Sequence, residues 1–367
     1  MRTAVVILNW NTRDYLERFL PTLLDSLQGL DAGVIVADNA STDGSRELLA
    51  ERFPQVQTIL LDKNYGFTGG YNRAFAEILD SPVKPANDEN GEGKPEYLVL
   101  MNSDIEVPKG WLEPLVAWMD RYSYFAACGP KLHALEPDGD GFRRTERFDY
   151  AGAAGGLLDR YGFPFCRGRV LRRTALDEGQ YYLPKSVLWV SGACMLVRAS
   201  AWRELGGLDE RFFAHMEEID WCWRAWIAGW SVGVVPQSCV YHLGGGTLAP
   251  ASPLKLKLNF RNGLLMLENN LPETIGSRQA RWRIRIRKIL DCCAAIVYLL
   301  SGKVAYARAV RDAHREYRQL RTPDTKYTPG MPEDVRPVGL LNMCILVQAA
   351  LRGKKVFNYV SRYESGY

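Results

Sequence analysis

Through its first hundred residues the chain alternates apolar runs of strand length with stretches whose apolar positions recur at helical spacing. Thr3 to Leu8 is continuously β-branched or apolar. Tyr15, Leu16, Phe19, Leu20, Leu23, Leu24 and Leu27 then follow as one helical face, with Thr12 placed to cap it and Pro21 placed to kink or divide it. Gly33 to Ala37 and Val56 to Leu61 predict two more strands. The first runs into Asp38-Asn39-Ala40-Ser41-Thr42-Asp43-Gly44-Ser45 and the second into a loop from Asp62 to Asn72, each leading to a helix. A fourth strand, Tyr97 to Met101, ends in Asn102, Ser103 and Asp104. Strand, polar loop and helix in repetition predict an α/β fold with a parallel sheet and helices on its faces. Parallel strands point one way, so their polar carboxyl ends share the edge where open α/β sheets bind ligands.

At that edge Asp38 is placed to accept hydrogen bonds from a base or ribose, and helix amino termini near Ser45 and Asn72 to face anionic groups. Gly66, Gly69 and Gly70 would admit a ligand close to the backbone, although tight turns use glycine in the same way. Asp104 is a candidate metal ligand, or else part of a polar turn. Residues 81–96, with three prolines, read as an exposed insertion without a role, and a helix is expected around Trp111 to Tyr122. The glycine-rich stretch 129–185 yields no placeable strand.

Farther on, strand-like Val187 to Val190 and Cys194 to Val197 flank Ser191, Gly192 and Ala193. Side chains that small let a substrate, or simply a neighbouring segment, lie against the backbone. Between Phe212 and Arg224, Glu217, Glu218 and Asp220 fall within four positions among aromatic residues, at the expected start of a helix. Such acids often only complement the helix dipole. The aromatic surround, however, should lower the local dielectric and raise a carboxylate pKa towards that of a useful base, with Glu218 the first candidate and Glu217 the second. Asp220 is expected to pair with Arg224 at i, i+4. After a strand from Ser231 to Val235, His242 ends an apolar run ahead of Gly244, Gly245, Gly246 and Thr247, a segment able to fold over a ligand. A histidine there is structural unless it reaches Asp104, in which case the pair forms an oxygen–nitrogen metal site with positions open to phosphate oxygens.

With 47% hydrophobic and 24% charged residues, the 367-residue chain is globular and long enough for a large core. Its eight cysteines lack C-x-x-C pairs and read as reduced, cytosolic thiols. No signal peptide is expected before Thr3, and no apolar stretch reaches the roughly 18 residues of a membrane span. The net charge of +4 is uneven: residues 276–321 carry twelve Lys or Arg against three Asp or Glu, leaving the remainder at −5. Arg281, Arg283, Arg285 and Arg287 alternate with apolar residues in a pattern that fits a helix or a strand. The apolar runs 289–300 and 339–351 suit docking on the rest of the chain, on another subunit or at a lipid surface. No recognisable module supports a nucleic-acid partner. A nicotinamide dehydrogenase would carry glycines where Asn9-Trp10-Asn11 follows the first strand.

Taken together, Val6 to Asn11, Asp38 to Ser45, Asn64 to Asn72, Asn102-Ser103-Asp104, Gly192-Ala193-Cys194, the 212–224 block and His242 resemble, in order, the motifs of family 2 glycosyltransferases of the GT-A fold. The likeness is strongest to the bacterial branch containing rhamnosyltransferases. It implies a catalytic domain over 1–265 with a mainly helical extension over 266–367. It also implies inverting transfer from a nucleotide-diphosphate sugar, dTDP-rhamnose or a UDP-sugar, to a hydroxyl of a glycan or lipid-linked acceptor in surface-polysaccharide synthesis. Magnesium or manganese would be held by Asp104 and His242. This chain has Asn102 where the family's Asp-x-Asp-like element has its first acid, and Glu217-Glu218 where the family commonly has Glu-Asp or Asp-Asp. The nucleotide would meet Leu8, Asn9, Trp10, Asn11, Asp38, Asn39, Ser41, Asn64, Gly66, Phe67, Gly70, Asn72, Asn102 and Ser103, and the acceptor Ser191, Gly192 and Ala193. A cytoplasmic protein, peripheral on the inner face of the membrane through its C-terminal region, is the expectation. The alternative is a non-catalytic relative that binds the sugar nucleotide without turning it over.

Overall fold

The structure, a computed structural model, describes residues 1–80, 93–244, 252–322 and 337–365. It begins β1 (Thr3–Asn9), α1 (Arg13–Ser26), β2 (Ala32–Asp38), α2 (Ser45–Arg52), β3 (Gln57–Leu60), α3 (Gly66–Asp80) and β4 (Tyr97–Met101). Then come β5 (Ile105–Glu106), α4 (Glu113–Arg121), β6 (Phe125–Asp138), β7 (Gly141–Phe148), β8 (Gly156–Asp159), β9 (Pro164–Cys166), β10 (Arg169–Val170), β11 (Arg173–Thr174) and β12 (Lys185–Ser186). The chain continues through β13 (Cys194–Arg198), α5 (Ala199–Leu205), α6 (Glu217–Ile227) and β14 (Ser231–His242). Last are α7 (Pro253–Ile275), α8 (Ser277–Leu300), α9 (Val304–Leu320), β15 (Leu340–Leu341), α10 (Ile345–Arg352) and α11 (Val356–Ser365).

The large sheet runs β12-β14-β6-β13-β4-β1-β2-β3, with β5 added to β14 and β7 to β6. Strands β3, β2, β1 and β4 are parallel. Along β1, Val5 and Ile7 share a core with Leu16, Leu20 and Leu23 of α1, while Ala4 and Val6 share another with Tyr71, Phe75 and Ile78 of α3. Both faces are covered, which is why these strands read as unbroken apolar runs.

The other half of the sheet is mixed. Strand β13 runs against both β4 and β6. Cys194 pairs with Met101, so the start of β13 lies beside the end of β4 and Ser191-Gly192-Ala193 arrives at the ligand edge. Strand β14 is parallel to β6, and its last residue, His242, pairs with Ile105. The stretch 129–185 holds most of β6, all of β7 to β11 and the start of β12, several of them too short to show a period.

Position 265, the expected division of the chain, falls inside α7, whose Leu264, Leu265, Met266, Leu267 and Leu271 belong to the same core as α3 and α6. Residues 281–287, open between helix and strand, are helical, and Pro21, exposed, leaves α1 undivided. Of the two late apolar runs, 339–351 docks: Leu341, Met343, Ile345 and Ala349 are buried with Leu157 and Phe165 beside the small sheet β11-β10-β9-β8-β15. The run 289–300 stays largely exposed. Residues 81–92 of the expected insertion, and Gly245, Gly246 and Thr247, lie outside the described residues. Among the described residues no helix is long and apolar enough to cross a membrane. All eight cysteines are free thiols.

Candidate active site

The polar ends of the parallel strands meet, and five of the side chains expected to touch a nucleotide, Asn9, Asp38, Asn39, Ser41 and Asn64, hydrogen-bond among themselves. Asn9 donates Nδ2 to Asp38 Oδ1 and Ser41 Oγ, both at 2.9 Å, and accepts from Thr12 Oγ1 at 2.6 Å. Asp38, fully buried, also accepts from Ser41 N at 3.1 Å and Arg46 Nε at 2.6 Å. So bonded, its carboxylate fixes the loop after β2. Asn39 ties that loop to the next, donating to Asn64 Oδ1 at 3.0 Å and Gly66 O at 3.1 Å and accepting from Tyr65 N at 2.9 Å. Asn11 N donates to Ser41 Oγ at 3.0 Å, and Asn11 Oδ1 accepts from Thr42 N at 2.8 Å. Trp10 remains exposed. The methyls of Leu8 lie where a Cβ on Gly70 would come within 2.7 Å, so that glycine serves helix-on-strand packing.

At the two helix amino termini the leading amides already have partners within the protein. At α2, Asp43 accepts from Ser45 N at 3.1 Å and from Arg13 N at 2.8 Å. Helix α3 begins at Gly66, where φ is +71°, rather than near Asn72. There Asn64 Oδ1 takes Gly66 N at 2.8 Å, while Phe213 O takes Phe67 N at 2.7 Å and Thr68 N at 3.2 Å. Asn72, in the second turn of α3, donates to Leu208 O and accepts from Leu208 N, both at 2.8 Å, and so anchors a neighbouring loop.

Asp104 and His242 meet. His242 Nε2 is 3.3 Å from Asp104 Oδ1, and Leu243 N donates to Asp104 O at 3.1 Å. On the ring's other side Nδ1 is 3.2 Å from Asp149 Oδ1, outside hydrogen-bond geometry. All three side chains are buried. Burial alone would disfavour the imidazolium, but Asp149 and Asp104 outweigh it and hold His242 well above the usual histidine pKa. Adjacent ligands of an octahedral divalent ion, each at about 2.1 Å, lie about 3.0 Å apart. The 3.3 Å separation of Asp104 and His242 is of that order, and an ion held there would take the place of the His242 proton that the two carboxylates favour. Among the described residues no group of three acids, histidines or cysteines could hold an ion by itself.

Glu217 and Glu218 open α6 as the sequence predicts. Glu217 is buried, Glu218 half-buried, and the Oε2 of each lacks a hydrogen-bond partner. Desolvation pushes the Glu218 carboxyl up to about 7, with backbone amides at the helix start resisting. Glu217 is raised well above the usual value by burial and then by the charge of Glu218. A Cβ on Gly192 would lie 3.2 Å from the ring of Phe67 and 3.6 Å from Glu218 Cβ, so the start of α3, the turn before β13 and the start of α6 line one place. Ala193 O accepts from Asn102 N at 2.9 Å, which joins that place to the strand end carrying Ser103 and Asp104. Buried Ser191 turns its Oγ to Ala193 N at 3.3 Å and shapes the same loop. Asp220 pairs with Arg224 at 2.8 Å as expected, and Asn269 and Asn270 complete a buried structural network.

Two contributions are missing from the sequence reading. Asp149 comes from the stretch whose strands carry no periodic signal. The other is a clamp on the loop before α6, where Phe213, His215 and Met216 have φ of +63°, +71° and +74°. Asn262 of α7, fully buried, donates Nδ2 to Phe212 O, Ala214 O and His215 O at 2.9, 2.8 and 2.7 Å. Arg261 adds a bond to Phe212 O at 2.7 Å. Burial lowers the His215 pKa to about 4, so its ring is neutral at pH 7.

Compared with known proteins, the chain matches Glycosyl transferase family 2 over residues 4–205 and Glycosyl transferase family group 2 over 167–308. It is similar to N-acetylglucosaminyl-diphospho-decaprenol L-rhamnosyltransferase of Mycobacterium tuberculosis (strain H37Rv), with 29% identity over 238 residues, 65% of this chain and 75% of the relative. With Rhamnosyltransferase WbbL of Escherichia coli (strain K12) it shares 24% identity over 245 residues, 65% of this chain and 82% of the relative. Among solved structures it resembles GalNAc-T7 with UDP, GalNAc and Mn2+, at a TM-score of 0.53 and 17% identity over 73% of this chain and 48% of that one. This last likeness concerns the fold.

Proposed function

The chain belongs to glycosyl transferase family 2 and has the GT-A fold, and from that premise we propose that it transfers a sugar from a nucleotide-diphosphate sugar to an acceptor hydroxyl with inversion, Glu218 acting as the base. The observation that carries this reading is the Glu218 carboxylate, at the start of α6 beside Gly192 and Phe67, with one oxygen unpartnered and its pKa pushed up to about 7. A carboxylate poised near the working pH takes a proton most effectively. As the acceptor oxygen bonds to the anomeric carbon, its proton passes to Glu218 Oε2 and the bond from that carbon to the diphosphate breaks, the electron pair leaving with the nucleoside diphosphate.

Glu217, buried next to Glu218 in sequence, is held protonated by burial and then by the charge of Glu218, so Glu218 is the member of the pair that ionises first and can accept the proton. Ser191, Gly192 and Ala193 would admit the acceptor alongside the backbone, while Trp10 and the cross-linked loops after β1, β2 and β3 border the donor. Asp104 and His242 would hold magnesium or manganese, which when bound supplies positive charge to the departing diphosphate. The names of the relatives, which specify rhamnosyl transfer and, for one, a diphospho-decaprenol acceptor, support a nucleotide-activated rhamnose such as dTDP-rhamnose as the first donor to try and a lipid-linked glycan as the acceptor, in surface-polysaccharide synthesis.

Donor hydrolysis across UDP-, GDP- and dTDP-sugars, followed by transfer with Glu218→Gln, tests the reading. The variant should bind donor as the parent does and lose transfer by about a thousandfold. Unaltered transfer would remove Glu218 from the role, and donor binding without any turnover in the parent would favour a non-catalytic relative.

A further inference from the structure

Helix α8 shows the solvent a face that neither the site nor the core uses. Of its 24 residues, Ala280, Arg287 and Asp291 are buried. Arg287 donates to Asp291 Oδ1 at 2.8 Å and to Tyr161 O and Gly162 O at 3.2 and 3.0 Å, and His314 of α9 meets Asp291 at 3.1 Å. These bonds fix which side of the helix faces inward. On the opposite side, Trp282, Ile289, Cys293, Ile296 and Leu300 recur at spacings that a 3.6-residue turn aligns into one stripe, about 27 Å long. Trp282 and Ile289 are each 62% exposed and Leu300 is 84% exposed. Single apolar residues at a surface are ordinary, whereas a continuous row of this length marks a contact surface.

Positive charge crowds the amino-terminal half of the same helix. Arg278, Arg281, Arg283 and Arg285 lie there, with Arg160 beside them from the turn after β8. Among the described residues no carboxylate pairs with any of the five, and the buried Nε of Arg160 has no partner. A groove of about 420 Å³ opens between Arg160, Tyr161, Arg278, Trp282, Arg283 and Ile286. Arg283 is pushed below its usual pKa by burial and then by the like charge of Arg160, a repulsion that an anion in the groove would relieve.

We propose that this face of α8 docks on an anionic lipid bilayer, with the arginines against headgroup phosphates and the stripe from Ile289 to Leu300 in the apolar boundary. Basic residues beside an apolar stripe on one helix are the combination that holds a helix in the plane of such a surface. No helix among the described residues is long and apolar enough to span it. A second copy of the chain suits the face poorly. The one acid of α8, Asp291, is buried and paired, so two copies would bring arginines together without a counter-charge. The proposal deepens the lipid-linked acceptor reading by giving it a surface, and its test reads lipid binding apart from turnover so that either can fail alone.

The full chain should cosediment with vesicles of equal parts phosphatidylcholine and phosphatidylglycerol at least about tenfold more tightly than with phosphatidylcholine alone, and the difference should shrink at high salt. Replacing Ile289, Ile296 and Leu300 together by Ser, or Arg278, Arg281 and Arg285 together by Gln, should weaken binding about tenfold while donor hydrolysis and the thermal melt hold. A polarity-sensitive dye on exposed Cys293, with Cys292→Ser, should shift to the blue on the mixed vesicles. Equal binding to both vesicles, unchanged binding in both variants, or a dimer in solution that the stripe variant dissolves would overturn the proposal.

Discussion

Asn262→Ala tests whether α7 sets the loop that leads to the proposed base, Glu218. In the parent, one amide group serves three carbonyls: Phe212 O, Ala214 O and His215 O. Arg261 still donates to Phe212 O in the variant, so the net loss is the donor to Ala214 and His215 together with the acceptor of Arg261 Nε, which Asn262 Oδ1 meets at 2.8 Å. At about 1 to 1.5 kcal/mol for each of these bonds, the unfolding free energy should fall by about 3 to 4.5 kcal/mol. The loss should not stay local. Phe213, His215 and Met216 sit at positive φ, and each such residue costs on the order of 1–3 kcal/mol, so the released loop has strain to shed. Relaxation would move Phe213 O off the amino terminus of α3 and Met216 off the start of α6, carrying Glu218 with it. A shift of about 1 Å in a catalytic group can cost about a hundredfold, so kcat should fall by roughly that factor while the donor KM stays within about twofold. Denaturant titration gives the first quantity and initial rates the second. A variant within about 0.5 kcal/mol of the parent, with unchanged kcat, would show that the three bonds do not hold the loop.

Activity should rise with pH through about 7, because the proposed base must be ionised and burial raises its pKa to that value; a flat profile from pH 5 to 9 would exclude Glu218. Stability should move the other way. A carboxyl held above its unfolded value of about 4.3 binds its proton more tightly in the folded chain, so stability falls as pH rises from there through about 7, which denaturation at several pH values can follow. Asp104→Ala should weaken manganese-dependent donor binding in calorimetry and leave metal-free binding alone; equal manganese dependence in both proteins would count against Asp104 as a ligand.

Much of the site is legible because chemistry and periodicity coincide along the chain. Asp104 follows a buried strand, Glu218 opens a helix, and the i, i+4 pair of Asp220 and Arg224 forms as its spacing predicts. The loops after β1, β2 and β3 are harder to read. Their polar residues look like ligand contacts in sequence, yet Asn9 bonds to Asp38 and Asn39 to Asn64 across loops, while Asp38 and Asn64 also take backbone amides of their own turns, because backbone groups in tight turns need partners as urgently as a ligand does.

By itself the sequence determined the run of strands and helices, the shared edge at the ends of β1 to β4, and the kinds of side chain available there. Each follows from local periodicity and the direction of parallel strands. Tertiary structure alone decided which distant groups meet: the reversed direction of β13 brings Gly192 to Glu218, the pairing of β14 with β5 brings His242 to Asp104, and α7 supplies Asn262 from well outside the motif. Those partners depend on long-range registers that no local pattern encodes, so they become visible only when the sheet has closed.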